Sequence, residues 1–341
     1  MDSTLEASES GLHLADMPPI AFVFPGQGSQ AVGMGRALAA ASPAAAAVFA
    51  TADDALGEPI SKLAFEGPAE TLDLTANAQP ALLATSIAYL EALRERWAVE
   101  GGGTPTPAFV AGHSMGQYSA LVAAGSLQLA DAVRLVRERG RQMQASGAGR
   151  EGRMAAVIGL DDAAVPTLIE RASEHGIVGV ANRNAPGQVV LSGEQVAIEA
   201  AAGIARDLGA KRAIVLPVSV AAHSSLMADA AEGMREVLRG VAFSDPRVPL
   251  LANADARLLT TAEDCRAELV EHLTTGVDWV RAVERMVEAG VETFVEVGPG
   301  RVLSGLIRRI APAATTHPTD DPNDPSGLAV PIPAMAGSAG S

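Results

Sequence analysis

At 341 residues and 48% hydrophobic content, the chain can bury a large core, in two domains or in one with an insertion. A net charge of −15 argues against a nucleic-acid partner, because phosphate binding needs a basic surface, and the single cysteine, Cys265, excludes an internal disulfide and a cysteine metal cluster. Met1–Pro19 has no basic start and no continuous apolar stretch, so it does not read as a signal peptide, and no apolar run is long enough to cross a bilayer. Together with the lone cysteine, this fits a cytoplasmic protein.

Residues 1–18 are polar and small and read as a flexible leader. Ile20-Ala21-Phe22-Val23-Phe24 is a compact apolar strand, stopped by Pro25-Gly26-Gln27-Gly28-Ser29-Gln30, a loop whose glycines let its backbone approach a ligand. Residues 33–57 read as helix, interrupted by Pro43, and a short helix follows near Ile60–Phe65. Ala76–Trp97 has Leu82, Leu83, Ile87, Leu90 and Leu93 at helical spacing. Gly101–Pro107 is a linker into the apolar strand that begins at Ala108.

That strand ends in Gly112-His113-Ser114-Met115-Gly116, and a helix-forming stretch begins at once. Strand, tight glycine turn and helix are what a nucleophile elbow requires. Ser114 then stands at a helix N-terminus, where free N–H groups favour developing negative charge. Leu129–Gln144 is the next helix, with Asp131 in its first turn and Arg137, Arg139 and Arg141 toward its end, which suits the helix dipole.

The texture changes near Ser146. Met154–Leu160 reads as a strand, Asp161–Glu174 as a helix, Ile177–Asn182 and Gln188–Gly193 as a hairpin, Gln195–Leu208 as a helix and Lys211–Val220 as a last strand. This βαββαβ order is the ferredoxin-like pattern, and it predicts a small subdomain inserted into a larger α/β one. The body then resumes with helices at Leu226–Leu238, Ala262–Leu273 and Val280–Ala289, strands at Val248–Asn253 and Val291–Val297, and a last helix over Val302–Ile310. Residues 313–341 are rich in Pro, Thr, Asp, Gly, Ser and Ala and read as a disordered tail.

A serine hydroxyl needs a base to remove its proton. Of six histidines, His13 and His317 fall in the expected tails, His175 at an exposed helix end, and His113 points away from its neighbour Ser114. His223 and His272 remain; His223 sits in a small-residue loop after a strand, where α/β folds place function.

Five segments occur together in one order: Phe22-Val23-Phe24-Pro25-Gly26-Gln27-Gly28-Ser29-Gln30, Gly112-His113-Ser114-Met115-Gly116-Gln117, Asn182-Arg183-Asn184-Ala185-Pro186-Gly187-Gln188, Ala221-Ala222-His223-Ser224-Ser225 and Glu296-Val297-Gly298-Pro299-Gly300. In these the chain resembles malonyl-CoA:acyl carrier protein transacylases and the acyltransferase domains of polyketide synthases, over roughly residues 19–312. The resemblance implies an α/β-hydrolase-like large domain with a parallel sheet, formed by 19–147 and 220–312, and a ferredoxin-like subdomain over 148–219. It implies Ser114 as acylated nucleophile, His223 as base, the Gln27 and Met115 backbone amides as oxyanion hole, and Arg139 as the partner of the malonyl carboxylate. Asn184 and Gln188 are expected to line the site from the subdomain. His272 takes the position whose main-chain carbonyl orients the histidine.

The implied reaction moves malonyl from malonyl-CoA to the phosphopantetheine thiol of an acyl carrier protein, through a malonyl-serine, with no metal or other cofactor. The implied enzyme is a monomer in fatty-acid or polyketide synthesis, without nucleic-acid or membrane partners. Gln117, Met115 and Ala222 depart from frequent family residues and leave a substituted malonyl extender open. Hydrolysis of carrier-bound thioesters is a second alternative. Arg183, Lys211, Arg212, Arg308 and Arg309 are candidates for docking an acidic carrier, and activity is expected to fall as pH drops through the range of free imidazole, roughly 6.5.

Overall fold

The first apolar run forms β1 (Ile20–Phe24), and its period of two assigns alternate side chains to opposite cores: Phe22 and Phe24 to one, Ala21 and Val23 to the other. A strand buried on both faces belongs inside a helix-covered parallel sheet. The computed structural model describes residues 19–99, 105–146, 151–218 and 220–329. The expected leader, part of the connection after Ser146, Ser219 and the end of the expected tail lie outside the described residues.

After β1 come α1 (Arg36–Ala41) and α2 (Pro43–Leu56), separated at Ser42, whose hydroxyl accepts the Ala45 N–H and caps α2 with Pro43 at its first position. Next are α3 (Ile60–Glu66), a single turn α4 (Ala69–Leu72) that no sequence signal had marked, and the long α5 (Thr75–Val99). β2 (Phe109–Gly112) leads through the glycine turn into α6 (Gly116–Ala123), and α7 (Leu129–Ser146) follows. The subdomain consists of β3 (Gly152–Ile158), α8 (Val165–Ser173), β4 (Val178–Ala185), β5 (Gln188–Glu194), α9 (Gln195–Asp207) and β6 (Arg212–Val215). The chain continues through α10 (Ala228–Arg239), β7 (Leu250–Leu251), β8 (Leu258–Leu259), α11 (Ala262–Thr275), β9 (Val277–Asp278), α12 (Trp279–Glu288), β10 (Thr293–Glu296), α13 (Val302–Ile310) and β11 (Thr315–Pro318).

The larger sheet has the order β11-β10-β1-β2-β7-β8, parallel except for the β7–β8 hairpin. The smaller sheet runs β6-β3-β5-β4-β9. Its first four strands are antiparallel, in the arrangement of a ferredoxin-like unit, and α8 and α9 close a separate core over them. β9, contributed by the large domain, adds to β4 in parallel, with Asn182 opposite Val277. One strand edge therefore joins the subdomain to the body beside the functional loops.

The expected disordered tail requires correction. Residues 315–318 form β11 on the edge of the larger sheet, Thr319 donates its N–H to the Glu296 carbonyl, and Tyr89 on α5 donates its hydroxyl to Asp320 at 2.9 Å. Composition there was polar and proline-rich, but an unpaired parallel edge at β10 supplies the hydrogen-bond partners that the segment cannot supply itself. His317 lies in this strand rather than in a free tail.

Candidate active site

The turn at Ser114 is built by close packing. A Cβ on Gly112 would stand 2.0 Å from the Gly116 carbonyl carbon, and one on Gly116 would stand 2.2 Å from the Phe24 carbonyl oxygen. Both positions therefore exclude a side chain, and helix α6 lies directly on β1 and β2. Ser114 has φ of 53°, in the left-handed region that L residues rarely adopt. His223, with φ of 61°, shares that feature. Strain of this kind persists only where surroundings fix it, and it gathers at functional sites.

Several groups fix the elbow. The Ser114 N–H donates to Asn253 Oδ1 at 2.8 Å, and Asn253 follows β7 at the end of the sheet. Gln117 is fully buried; its Nε2 donates to the Leu251 carbonyl at 2.9 Å and its Oε1 accepts the Gly112 N–H at 3.3 Å. Gln117 was expected to bear on substrate choice, but its amide braces the turn instead.

Ser114 Oγ lies 2.8 Å from His223 Nε2. His223 Nδ1–H donates to the His272 carbonyl at 2.6 Å, which fixes the tautomer and leaves Nε2 free to accept the serine proton. No carboxylate is needed for this orientation. Burial, then the nearby Arg139 cation, push the His223 pKa down to about 3, so the ring is a neutral base across the neutral range. A depression of this kind moves the acid limb expected of a free imidazole to lower pH.

Arg139 is 1% exposed, in the middle of α7 rather than on a solvated helix end. Its Nη2 donates to Ser114 Oγ at 3.1 Å and contacts His272 Nε2 at 3.2 Å, and Nη1 donates to Gln79 Oε1 at 2.9 Å. α7 reaches α5 closely at Gly140, where a Cβ would lie 2.5 Å from Ala76 Cα, and this brings Arg139 to Gln79. All of its partners among the described residues are neutral, and Nε has none. A buried guanidinium without an anion is costly, and burial lowers its pKa from the ordinary range. The arrangement places a buried cation directly beside the serine. The helix-dipole reading of Arg137 and Arg139 is also corrected: both are buried, and Arg137 pairs with Glu58 and Asn77.

His272 is fully buried, and burial keeps its ring neutral well below the ordinary imidazole pKa. Its Nδ1–H donates to the Glu268 carbonyl at 2.9 Å, so Nε2 is the acceptor for Arg139. One residue therefore serves the base with its main chain and the cation with its side chain. His113 faces away from the serine and donates through Nε2 to Asn184 Oδ1 at 2.9 Å, which ties the subdomain to the elbow. Gln188 does not join this group among the described residues; its carboxamide accepts from Arg309 on α13. The Gln27 side chain donates to Thr75 Oγ1 at 3.3 Å, and among the described residues neither the Gln27 nor the Met115 backbone N–H has a partner. Gln79, Asn253 and Glu268 were missed from the sequence. The only available signal was a polar residue inside an apolar pattern, as at Gln79 before Pro80-Ala81-Leu82-Leu83.

Chemically, the group can take a proton from a serine, hold a developing oxyanion on free amides and bind a carboxylate beside the acylated oxygen. Among the described residues no helix is long and apolar enough to cross a membrane.

Residues 21–315 match the acyl transferase domain family. A malonyl CoA-acyl carrier protein transacylase of Bacillus subtilis is 46% identical over 90% of this chain and 95% of its own. The structure of an acyl-carrier-protein-S-malonyltransferase from Bartonella henselae superposes with a TM-score of 0.83 at 46% identity, covering 88% of this chain and 95% of that one. A type II PKS acyl-carrier protein in complex with its malonyl-transacylase gives a TM-score of 0.83 at 41% identity, covering 89% and 96%.

Proposed function

The chain belongs to the acyl transferase domain family, and from that membership we propose that Ser114 and His223 carry a malonyl group from malonyl-CoA to the phosphopantetheine thiol of an acyl carrier protein. The activity is that of an acyl-carrier-protein S-malonyltransferase, in line with similar chains from Bacillus subtilis and Escherichia coli named malonyl CoA-acyl carrier protein transacylase. His223 Nε2 takes the Ser114 proton as Oγ attacks the thioester carbon. The oxyanion forms against the Gln27 and Met115 amides. It collapses with loss of the CoA thiolate, which receives the proton from His223. The carrier thiol then gives its proton to His223, attacks the malonyl-serine and releases Ser114 in the reverse sequence. The thioester is already activated, so this scheme calls on no metal or redox group.

The observation that carries the reading is the buried Arg139 guanidinium, without an anionic partner among the described residues, 3.1 Å from the nucleophilic oxygen. Malonyl has one carbon between its thioester and its carboxylate, so an acyl group on Ser114 brings a carboxylate to that cation. Guanidinium grips carboxylate through parallel bonds and selects a diacid over a monoacid. Ala222, half-buried and before the base, leaves room beside that carbon for a substituted malonyl group as an alternative cargo. Asn184 supports the site through His113.

The carrier protein is the partner, by analogy with the complex of a similar chain. Against a net charge of −15, Lys211 and Arg212 on the exposed edge at β6 are the cations offered for docking, with half-buried Arg183 on β4, three strands across the same sheet. Arg308 and Arg309 are engaged with Thr316 and Gln188. A monomer in the cytoplasm meets these requirements. Incubation with malonyl-CoA and a holo carrier, read by mass spectrometry, should give malonyl-carrier with stoichiometric free CoA. Free malonate in place of malonyl-carrier would indicate hydrolysis instead.

A further inference from the structure

Glu268 is a buried acid that the transfer scheme leaves unused. It stands on α11, one helical turn before His272, and is 0% exposed. Its Oε1 accepts the Asn253 backbone N–H at 2.6 Å. Asn253 in turn holds the Ser114 N–H through its side chain. The same Oε1 lies 3.8 Å from His272 Nδ1, and the Glu268 carbonyl accepts that nitrogen's proton. His272 is the residue that orients His223 and receives Arg139. One side chain therefore touches the prop beneath the nucleophile and the residue that aims the base.

The rest of its surroundings do not explain a carboxyl group there. Oε2 has no hydrogen-bond partner among the described residues, and the nearest cation, Arg257 Nη2, is 3.9 Å away and half-exposed. Burial pushes the Glu268 pKa up to about 7, against the Asn253 hydrogen bond and Arg257, which pull it down. An apolar residue of similar volume would avoid that desolvation, so packing alone is a poor account of an acid at this place.

We propose that Glu268 is a positioning residue for acyl transfer: it fixes Asn253, and with it the Ser114 elbow, against the helix that carries His272, so that nucleophile and base stay in register. The role rests on Ser114 and His223 being the transfer pair. It acts through the acceptor at Oε1, which glutamine retains and an apolar side chain lacks.

The test compares Glu268→Gln with Glu268→Met and Glu268→Leu, two apolar variants that keep bulk in the core. Rapid-quench measurement of Ser114 acylation by malonyl-CoA should show the apolar variants slowed about 10- to 100-fold at saturation, the scale of a misplaced catalytic group. KM for malonyl-CoA should stay within about twofold, because the loss falls on the step rather than on binding. Glu268→Gln should acylate within about threefold of the parent, while all three keep a cooperative thermal transition. An apolar variant that acylates at the parent rate overturns the proposal. So does an equal loss in Glu268→Gln, since the acceptor would then not be what matters. Unchanged rates in these variants would leave the transfer pair standing, whereas retained acyl labelling in Ser114→Ala would remove that pair itself.

Discussion

Arg139 Nη2 and Ser114 Oγ are 3.1 Å apart, and the same oxygen is 2.8 Å from His223 Nε2. The serine hydroxyl thus sits between a base and a cation, both buried. In the proposed transfer the proton acceptor activates it, and a cation within reach of the acyl group sorts substrates by charge. In that proposal a bound carboxylate also gives the buried guanidinium the counter-charge that none of its hydrogen-bond partners among the described residues supplies.

Replacement of Arg139 by Ala should lower acylation by malonyl-CoA about 30- to 1000-fold, corresponding to about 2–4 kcal/mol for a buried charged hydrogen-bonded pair. Acetyl-CoA, which has no carboxylate, should lose far less. The measurement is the ratio of the two acylation rates, and a ratio equal to that of the parent would take the carboxylate role from Arg139.

Ser114→Ala should abolish covalent labelling by radioactive malonyl-CoA while the fold is retained. The substitution removes only Oγ with its bonds to His223 and Arg139, leaves Cβ in place, and makes the positive φ no worse. Label recovered on another residue would identify a different nucleophile.

Acidification should leave acylation intact well below the pKa of free imidazole. The folded pKa of His223 is depressed to about 3, so the neutral, proton-accepting form persists as pH falls. Quenched-flow rates at about pH 5.5 and about pH 7.5 should agree within twofold, where a free imidazole near 6.5 would lose most of its basic form. Arg139 is the second cause of the depression, so Arg139→Gln should raise the His223 pKa and move the acid limb for acetyl-CoA to higher pH. A limb that does not move would show that burial alone sets the basicity.

His272 separates two functions. His272→Gln keeps the carbonyl that orients His223 and offers an amide oxygen to Arg139, so both acylation rates should stay within about threefold. His272→Leu keeps only the carbonyl, leaves Arg139 short of one acceptor, and should reduce the malonyl rate by about 10- to 150-fold while sparing the acetyl rate, since a lost hydrogen bond to a charged group is worth about 1.5–3 kcal/mol. Equal losses for both substrates would mean that the side chain also holds the base.

Tyr89→Phe tests the C-terminal strand. The Tyr89 hydroxyl bonds Asp320 at 2.9 Å and the Gly327 carbonyl at 3.2 Å, and it joins α5 to the segment after β11. Its loss should lower Tm by about 1–2 °C for a cost of about 1 kcal/mol, with acylation unchanged. An unchanged Tm by calorimetry would show that the segment is held by its backbone pairing alone.

The elbow was legible because its constraints lie within five residues: two positions that exclude a side chain, a serine between them, an apolar strand before and a helix after. The βαββαβ order of the subdomain was legible for the same reason, since each element declares its own period over a short window. β11 was not, because an edge strand of polar residues takes its order from β10, and the composition of 315–318 says nothing of that neighbour. Arg139 was named by resemblance, yet its own helix gave the wrong environment. What decides its burial is the approach of α5, and the Gln79 that receives it is 60 residues away.

The amino-acid order alone therefore determined which hydroxyl is set on a sharp turn, which two histidines stayed candidates for its base and where most strands and helices form, because local sterics and hydrophobic periodicity act over a few residues. Tertiary structure alone decided that Asn253 holds the Ser114 amide across 139 positions, that the His272 side chain also meets Arg139, and that Glu268 contacts both Asn253 and His272. Those partnerships depend on where packed helices and strand ends meet in space, and separation along the chain carries no record of that distance.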